Sequence, residues 1–208
     1  GLEHLADYVD WLRQPGNDEE VTHAVDALTT NFTSFLREAD HFRFMVDQAL
    51  PPLLTAGKKR FHLWSAACAT GEEPYSIAMV LREMLPDWET WNVAILATDI
   101  NRDALRRAQE GVYSAWSFRG VEKRIQDNYF RPLDNSRFAI ADEIKRMVTF
   151  EYLNLVADPY PALANNTNAM DLLFCRNVTI YFTAQVTEQV VNRFSHCLVE
   201  GGWLIPGP

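Results

Sequence analysis

Two acidic residues open a helix-like segment of this sequence, and a third ends an apolar stretch. The run LWSAACATGEEPYSIAMVL, residues 63–81, passes through small side chains to Gly71 and then reaches Glu72 and Glu73. The following apolar stretch, ILATDIN, contains Asp99 at its end. Glycine-containing loops before a helix often bind phosphate, but two carboxylates would repel it, and the sequence lacks the phosphate-loop pattern G-x-x-x-x-G-K-S/T. These residues therefore indicate a ligand that is uncharged or cationic at this position.

Each of these acids has a simpler structural interpretation. Asp99 stands where a carboxylate can accept both hydroxyls of a ribose, yet aspartate is also a common helix cap. Because Asn101 and Asp103 follow it and can cap the helix, Asp99 is free for a ligand. For Glu72 we favour the simpler role, complementing the helix dipole at an exposed first turn. The loop itself should let a ligand approach the backbone, since its residues are small: Ala66, Ala67, Ala69, Thr70 and Gly71.

Polar residues also follow two later apolar runs. EYLNL contains Asn154 and Leu155, and FCRNVTIYF contains Arg176, Asn177 and Tyr181. In an open parallel sheet the ligand lies beyond the carboxyl ends of the strands, near the point where the strand order reverses. We therefore expect these side chains to converge on one cleft with the acids of the earlier segments.

The elements that must position these residues alternate along the chain. From residue 60 onwards, short apolar runs are separated by segments that predict helices at 74–85, 102–110 and 183–199. Strands that alternate with helices imply right-handed crossovers and a parallel sheet covered on both faces. The predicted class is α/β, with an open Rossmann-like sheet in a domain of residues 56–208.

Two regions lie outside this alternation. Residues 1–55 place apolar residues three and four apart, which predicts an N-terminal helical cap. Seven acids and one arginine occupy its first 30 residues, so we expect that face to be solvated. Residues 112–148 contain two strand-like runs about a polar turn, which predicts a small antiparallel β-subdomain inserted in the sheet domain.

Composition limits the classes of function. The chain has 208 residues, of which 48% are hydrophobic, enough for one sizeable domain with a packed core. A net charge of -9 argues against a nucleic-acid partner. The sequence has no long apolar stretch and no signal-peptide pattern, so we expect a cytoplasmic location without membrane insertion. Cys68, Cys175 and Cys197 lack metal-ligand spacing, so we expect buried thiols and no metal site.

Six ordered blocks of the sequence resemble a known family. They are TTNFTSFLREADHF, LWSAACATGEEPYSIAM, ILATDINRDALRRAQEGVY, EYLNL, DLLFCRNVTIYF and LVEGGWL. Together they are similar, over nearly the whole chain, to the chemoreceptor glutamate O-methyltransferases of bacterial chemotaxis. The resemblance implies an S-adenosylmethionine (SAM) methyltransferase fold, in which a helical N-terminal domain packs over the cofactor cleft and an antiparallel subdomain is inserted.

The resemblance also implies a cofactor and the residues that bind it. SAM carries a sulfonium and an ammonium group but no phosphate, so Glu73 would lie near its positive end and Asp99 would hold the ribose. The product would be S-adenosylhomocysteine (SAH), and no metal is implied. The implied cofactor-binding residues are Asn31, Thr33, Arg37, Ala66, Gly71, Glu73, Asp99, Asn154, Leu155, Arg176 and Asn177.

Two further roles follow from the same resemblance. Arg37 and Tyr181 would lie at the transferred methyl group, with Arg37 holding one oxygen of the acceptor carboxylate and the Tyr181 hydroxyl adding a hydrogen bond. The alternatives are a surface ion pair of Arg37 with Glu38 or Asp40, and a core-edge position for Tyr181.

Methyl transfer to an ionised carboxylate removes no proton, so it needs no general base. We accordingly expect His41 and His62 to be structural or surface residues. Catalysis would then come from alignment of the reacting groups and from the exclusion of water.

The implied partner is the cytoplasmic helical domain of a transmembrane chemoreceptor, whose glutamates would become methyl esters. Three basic clusters could dock an acidic receptor, at 57–60, 102–107 and 119–124, although such clusters are often simply solvated. In some relatives the inserted subdomain binds a receptor tail, but its loop here is short, which argues against that contact. Two other functions stay open: a SAM-binding regulatory module without catalysis, and a methyltransferase with a small-molecule acceptor.

Overall fold

The computed structural model describes residues 4–55, 57, 59–85 and 87–207. Within these residues the strands are β1 (Arg60–Ala66), β2 (Asn92–Asp99), β3 (Val112–Ser114), β4 (Phe130–Pro132), β5 (Arg137–Ile140), β6 (Val148–Tyr152), β7 (Met170–Cys175) and β8 (Leu198–Pro206). The α-helices are α1 (Leu5–Leu12), α2 (Asp18–Leu28), α3 (Ala39–Phe44), α4 (Leu50–Thr55), α5 (Glu72–Met84), α6 (Arg102–Glu110), α7 (Lys123–Tyr129), α8 (Asp142–Lys145) and α9 (Ala184–Cys197). A π-helical turn, Met45–Ala49, joins α3 to α4.

Five strands form a parallel sheet with the order β6-β2-β1-β7-β8. The chain builds one half of this sheet outwards from β1 through β2 to β6, and then returns to the other side of β1 for β7 and β8. The strand order therefore reverses between β1 and β7, and the carboxyl ends of these strands border a crevice at that point. The predicted α/β class with a parallel Rossmann-like sheet is confirmed.

Helices cover both faces of the sheet. Successive residues of β1 point to opposite faces, and both sets are buried. Leu63 belongs to a hydrophobic cluster that includes Ile77 of α5, whereas the next residue, Trp64, packs in a second cluster with Phe194 of α9. All four side chains are fully buried. Both faces of the central strand are thus occupied, which explains why its sequence is a continuous apolar run and does not alternate with polar residues.

The inserted region forms a separate antiparallel sheet. Its three strands have the order β3-β5-β4, and β4 and β5 form the hairpin expected about the polar turn at 134–136. The insertion was predicted to end at residue 148, but Val148 already begins β6 of the parallel sheet, so we refer to residues 112–147 as the β-subdomain. The sequence did not predict the third strand, β3, which pairs with β5 through Val112–Ser114.

The N-terminal region is helical at its two ends but not throughout. The pattern from residue 21 to residue 50 predicts continuous helix, yet α2 ends at Leu28 and α3 begins at Ala39. In the intervening stretch the Phe35 N–H donates to the Ser117 carbonyl at 3.0 Å, and so does not form a helical hydrogen bond. Tertiary contacts override the local helical period here. We call residues 30–38 the cap segment.

The hydrophobic core does not divide at residue 55, the predicted boundary of the helical cap. Phe42, Met45 and Leu50 are buried in the same cluster as Leu63 of the central strand. The helices α3 and α4 therefore pack as part of the layer that covers the sheet. The domain boundary itself stays a prediction, and residues 1–3 of the predicted cap lie outside the described residues.

Two predicted helix ends need small corrections. The helix predicted at 74–85 begins two residues earlier, at Glu72, because Gly71 takes a left-handed conformation and breaks the chain direction there. The helix predicted at 183–199 ends at Cys197, because β8 starts at the next residue. In the described part of the chain, no helix combines the length and the apolar character needed to cross a bilayer.

Candidate functional site

A cavity of about 530 Å³ opens at the carboxyl ends of the strands. Its wall joins the end of α2 and the cap segment to the residues that follow β1, β2, β6 and β7. Of the predicted site residues, the wall contains Asn31, Asp99, Asn154, Leu155, Arg176, Asn177 and Tyr181. The expected convergence of the strand-end residues on one cleft is therefore observed. Outside the wall are Thr33, Arg37, Ala66, Gly71 and Glu73, whose predicted roles at the cofactor stay predictions.

Asp99 links the two loops that border the cavity. Its Oδ2 accepts the Ala69 N–H and its Oδ1 accepts the Asn101 N–H, each at 2.8 Å. Burial raises the pKa of Asp99, and backbone hydrogen bonds to its carboxylate oppose that rise. Asn101 caps α6 by accepting the Ala104 N–H at 2.7 Å, so the predicted capping role of Asn101 is confirmed. A carboxylate has about four acceptor positions, so Asp99 retains capacity for a ligand on its cavity side.

The loop between β1 and α5 has an unusual backbone. Ala67 and Ala69, which line the cavity, have φ values of 61° and 49°. Gly71 has φ of 92°, and a Cβ there would lie 2.8 Å from the Cβ of Ala108 and 3.0 Å from the Tyr113 hydroxyl. The small residue at position 71 thus permits α5 to pack on α6 and on the β-subdomain. We had expected the small size of Gly71 to let a ligand approach the backbone. In the structure its small size serves the packing of α5 instead.

Glu73 forms a buried ion pair behind the cavity wall. Its Oε2 lies 2.8 Å from the Arg176 Nε, and its Oε1 accepts the Ser65 hydroxyl at 2.7 Å. The side chains are 11% and 3% exposed, respectively, so the charges are compensated within the protein. Burial raises the pKa of Glu73, while the Arg176 charge and the Ser65 hydrogen bond act in the opposite direction. The main charged partner of the Glu73 carboxylate is therefore the Arg176 guanidinium.

Glu72 is a buried residue, and the expectation of an exposed first turn was wrong for it. The residue is 3% exposed. Its carboxylate accepts the Thr70 hydroxyl at 2.6 Å and the Ser117 hydroxyl at 3.0 Å. Burial raises the pKa of Glu72, and these hydroxyl donors partly offset the rise. Sequence reasoning missed this contact because Ser117 belongs to the β-subdomain and is distant in the chain.

The backbone around Arg37 is strained. Leu36 and Glu38, on either side of it, have φ values of 52° and 58°, which cost about 1–3 kcal/mol each for residues other than glycine. The surrounding structure holds this conformation. The Leu36 N–H donates to the Ser76 hydroxyl at 2.9 Å, and the Arg37 carbonyl accepts from the Arg176 guanidinium at 2.8 Å. Strain of this kind is often found at functional positions, which makes the cap segment a candidate for a functional element.

The Arg37 side chain contacts Glu38, one of the two acids named above as alternative ion-pair partners. Its Nε lies 3.5 Å from the Glu38 carboxylate, and its Nη1 donates to the Phe32 carbonyl at 2.9 Å. The side chain remains 32% exposed. His41 has the expected structural role, because its Nδ1 lies 3.3 Å from the Glu38 carboxylate and 3.2 Å from the Arg176 guanidinium. Arg37 and Glu38 of the cap segment therefore form a network of polar contacts with His41 and Arg176.

Tyr181 lies at the open side of the cavity and not at the edge of the core. It lines the cavity and is 64% exposed. It follows Asn177, whose φ of 57° is a conformation that asparagine tolerates better than most residues. Asn177 turns the chain after β7, so that the short helical turn Thr179–Tyr181 returns along the cavity mouth. The hydroxyl of Tyr181 is thus placed where an approaching molecule can reach it.

The wall beyond β6 depends on a residue that sequence reasoning missed. The Asn154 side chain accepts the Val156 N–H at 2.9 Å, so its carbonyl oxygen serves the local turn. Arg193 of α9 donates to the carbonyls of Leu155, Val156 and Asp158 and stacks on the Tyr160 ring. This arginine fixes the whole loop. Nothing in the local pattern of α9 distinguishes Arg193 from a solvated arginine.

The end of α2 is fixed above the cavity by contacts with the start of α6. The Asn101 side-chain amide donates to the Asp26 carbonyl at 3.0 Å and to the Thr29 hydroxyl at 2.6 Å. The Arg102 N–H donates to the Asp26 carboxylate at 2.9 Å. As a result Leu28 contributes to the cavity wall, although it is 82% exposed. The resemblance implied a helical cap over the cleft, but none of the predicted site residues belongs to α2, whose acidic face was expected to be solvated.

Cations in two of the predicted docking clusters have partners within the chain. Arg106 pairs with Asp103 at 2.9 Å, and Arg124 pairs with Glu83 at 2.8 Å. In the cluster at 57–60, Lys58 lies outside the described residues. A docking role for these clusters stays a prediction.

Residues 31–208 match the family model described as "CheR methyltransferase, SAM binding domain". The match begins at Asn31, which lines the cavity, and includes the β-subdomain and the strands of the parallel sheet.

Several curated proteins are similar to nearly the whole chain. The "Chemotaxis protein methyltransferase" of Borreliella burgdorferi is 33% identical over 212 residues, which cover 100% of this chain and 74% of that protein. The "Probable chemotaxis protein methyltransferase" of Rhizobium etli is 34% identical over 213 residues, covering 100% and 77% respectively. The "Chemotaxis protein methyltransferase" of Vibrio parahaemolyticus is 36% identical over 214 residues, covering 98% and 74%.

Proposed function

Because this chain belongs to the CheR methyltransferase family, we propose that it transfers a methyl group from SAM to glutamate side chains of a chemoreceptor and forms glutamate methyl esters. The family makes the chain a SAM-dependent methyltransferase of chemotaxis. The identity of the methyl acceptor, a glutamate side chain of the receptor, goes beyond the family assignment and is our proposal. The observation that carries the proposal is a single cavity whose wall combines a buried acid, Asp99, with an exposed hydroxyl, that of Tyr181.

The residues of the cavity fit SAM. A volume of about 530 Å³ is sufficient for a nucleoside with a methionine tail. Apolar side chains such as Leu153 and Phe182 provide surfaces for an adenine ring, and Asp99 is the candidate partner of the ribose hydroxyls. When bound, SAM supplies a methyl group on a positively charged sulfur. Arg176, which lines the cavity, is paired with Glu73 behind the wall, so its positive charge is compensated and repels a bound cation less.

The main contribution of the protein to the reaction would be to position the acceptor carboxylate and the methyl donor. A glutamate carboxylate is ionised at neutral pH and can accept a methyl group without losing a proton, so the protein needs no poised base. The side chains at the mouth should therefore orient the carboxylate and keep water away from it. Tyr181 can donate a hydrogen bond to one carboxylate oxygen while the other oxygen attacks.

Arg37 is suited to hold the acceptor carboxylate, although it now contacts one of its own neighbours. Glu38 is a carboxylate of the same type as the proposed acceptor, and it lies 3.5 Å from the Arg37 Nε. This distance is long for a charge-assisted hydrogen bond, and Glu38 also contacts His41. We infer that an acceptor glutamate competes with Glu38 for the Arg37 guanidinium.

A transfer experiment tests the proposed function. The protein is incubated with SAM that carries a labelled methyl group and with membranes that contain chemoreceptors. We expect label on a receptor-sized band, released as methanol by mild base, because methyl esters of glutamate are base-labile. The variants Arg37→Ala and Tyr181→Phe should lower this label, and Arg13→Ala should not, since Arg13 is exposed at the end of α1 and pairs there with Asp10.

Two other results would replace the proposal with one of its alternatives. Label that appears only in small molecules would indicate a small-molecule acceptor. Tight binding of SAM without transfer to any molecule would indicate a regulatory module.

A further inference from the structure

Arg119 joins the β-subdomain to the cap segment. Its Nη2 donates to the Thr33 carbonyl at 2.8 Å, and its Nη1 donates to the Trp116 carbonyl at 2.9 Å. The guanidinium also lies over two aromatic rings, 4.5 Å from the centre of Phe32 and 4.7 Å from that of Trp116. One side chain thus contacts a ring and a carbonyl on each side of the boundary between the two regions.

The cap segment has a second attachment to the same subdomain. Phe35 is 2% exposed, and its ring packs against Tyr113, Phe118 and Phe130 with centroid distances of 4.8, 5.2 and 4.9 Å. The Phe35 N–H donates to the Ser117 carbonyl at 3.0 Å. Phe35 therefore anchors the middle of the cap segment in an aromatic cluster built by the β-subdomain.

These contacts lie within five residues of Arg37. Thr33 and Phe35 precede it in the chain, and the strained residues Leu36 and Glu38 flank it. Strained backbone persists only where the surrounding structure determines it. Since the cap segment is not helical, its conformation depends on the partners that it finds in α5, at Arg176 and in the β-subdomain.

We propose that Arg119 is a positioning residue for methyl transfer: through the Thr33 carbonyl and the Phe32 ring it holds the cap segment in the conformation in which the Arg37 carbonyl contacts Arg176, a residue of the cavity wall. The proposal rests on the proposed function, because it assigns Arg119 a part in that reaction. It gives the β-subdomain a task inside the enzyme that does not depend on binding a receptor tail. Arg119 itself does not line the cavity and acts through the cap segment.

The planar guanidinium is important to this role. It donates to two carbonyls from its two terminal nitrogens and lies over two aromatic rings, an arrangement that a compact ammonium group does not reproduce. The buried acid Glu72 lies nearby and accepts the hydroxyl of Ser117, so the turn that carries Arg119 is itself tied to the start of α5. A lysine at position 119 would keep the charge but lose the fork and the stacking.

The first test measures kinetics with the full chain and receptor-containing membranes. Arg119→Ala should lower kcat about 10-fold or more at saturating SAM, because a small displacement of a positioning group has a large effect on rate. The KM for the receptor should change by less than about three-fold, and Arg119→Lys should recover only a small part of the rate. Arg131→Ala is the matched control, an exposed arginine in β4 of the same subdomain, and should behave as wild type.

Other kinetic results would overturn the proposal. A higher KM with unchanged kcat would make Arg119 a docking residue. Full recovery by lysine would show that charge alone is required. An unchanged kcat per folded molecule with a lower unfolding temperature would leave Arg119 a purely structural role.

A second test separates this proposal from the proposed function. Hydrogen–deuterium exchange of the Phe35 and Leu36 amides, which donate to Ser117 and Ser76, reports the attachment of the cap segment directly. In Arg119→Ala these amides should exchange about 10-fold faster than in wild type or in Arg131→Ala. Unchanged exchange would refute the attachment even if methyl transfer occurs. Failure of wild type to label receptors would refute the proposed function and leave this measurement valid.

Discussion

The buried pair of Glu73 and Arg176 should dominate the stability of the site. Both side chains are nearly inaccessible and their charged atoms lie 2.8 Å apart. Removal of one partner of such a pair leaves a buried charge without compensation, which costs about 3–5 kcal/mol. We therefore predict that Glu73→Gln and Arg176→Met each lower the free energy of unfolding by roughly that amount at about pH 8. The double variant should lose about 2 kcal/mol less than the sum of the two, because neither charge remains.

The Arg176→Met variant should also respond to pH in a specific direction. Burial already raises the pKa of Glu73, and Arg176 opposes that rise, so its removal should raise the pKa further. Above the ordinary glutamate pKa, the folded variant then binds more protons than the unfolded chain, and stability falls as pH rises. The loss caused by Arg176→Met should therefore be larger at about pH 8 than at about pH 5.

Urea unfolding followed by circular dichroism measures these energies. The matched control is Arg124→Met, which breaks the pair of Arg124 and Glu83, whose side chains are 58% and 33% exposed. Surface pairs contribute about 1 kcal/mol or less, so this control should be nearly neutral. If the Glu73 and Arg176 variants were as mild as the control, or their effects added within about 0.5 kcal/mol, the pair would not dominate the stability of the site.

Three further substitutions test individual parts of the site. Asp99→Asn should weaken SAM binding about 10- to 100-fold in calorimetric titrations, because it removes a charged hydrogen-bond acceptor; unchanged affinity would contradict its role at the ribose. Tyr181→Phe should leave SAM affinity within about two-fold but slow methyl transfer about 10-fold, since only one hydrogen bond at the mouth is lost; an equal loss of affinity in both variants would contradict the separate roles. Gly71→Ala should lower the free energy of unfolding by about 2–4 kcal/mol, because φ is positive and the added Cβ would lie 2.8 Å from Ala108; a neutral result in thermal or urea unfolding would show that the loop relaxes freely.

The sheet and much of the cavity could be predicted from the sequence. Parallel strands buried on both faces leave continuous apolar runs, and their carboxyl ends must meet at one edge, so the polar residue after each run marks the cleft. Asp99, Asn154 and Arg176 were found in this way, and all three line the cavity. The capping of α6 by Asn101 could also be predicted, because helix caps have a recognisable local sequence pattern.

The parts that could not be predicted depend on contacts between distant segments. The cap segment has a helical period, yet the Ser117 carbonyl and the Ser76 hydroxyl take its N–H groups. The burial of Glu72 depends on that same Ser117, which comes from the insertion. Arg193 fixes a loop that lies more than thirty positions earlier in the chain. None of these partners leaves a periodic signal near the residue that it contacts.

The identity of the modified residue tests the central claim most directly. The cytoplasmic domain of a chemoreceptor, purified after incubation with this protein and SAM, can be digested without alkaline treatment and sequenced by tandem mass spectrometry. We predict a gain of one methylene mass on glutamate side chains, absent without SAM, strongly reduced with Tyr181→Phe and reversed by mild base. Methyl groups on other side chains only, or a receptor that stays unmodified while SAM is bound, would contradict the claim that receptor glutamates are the acceptors.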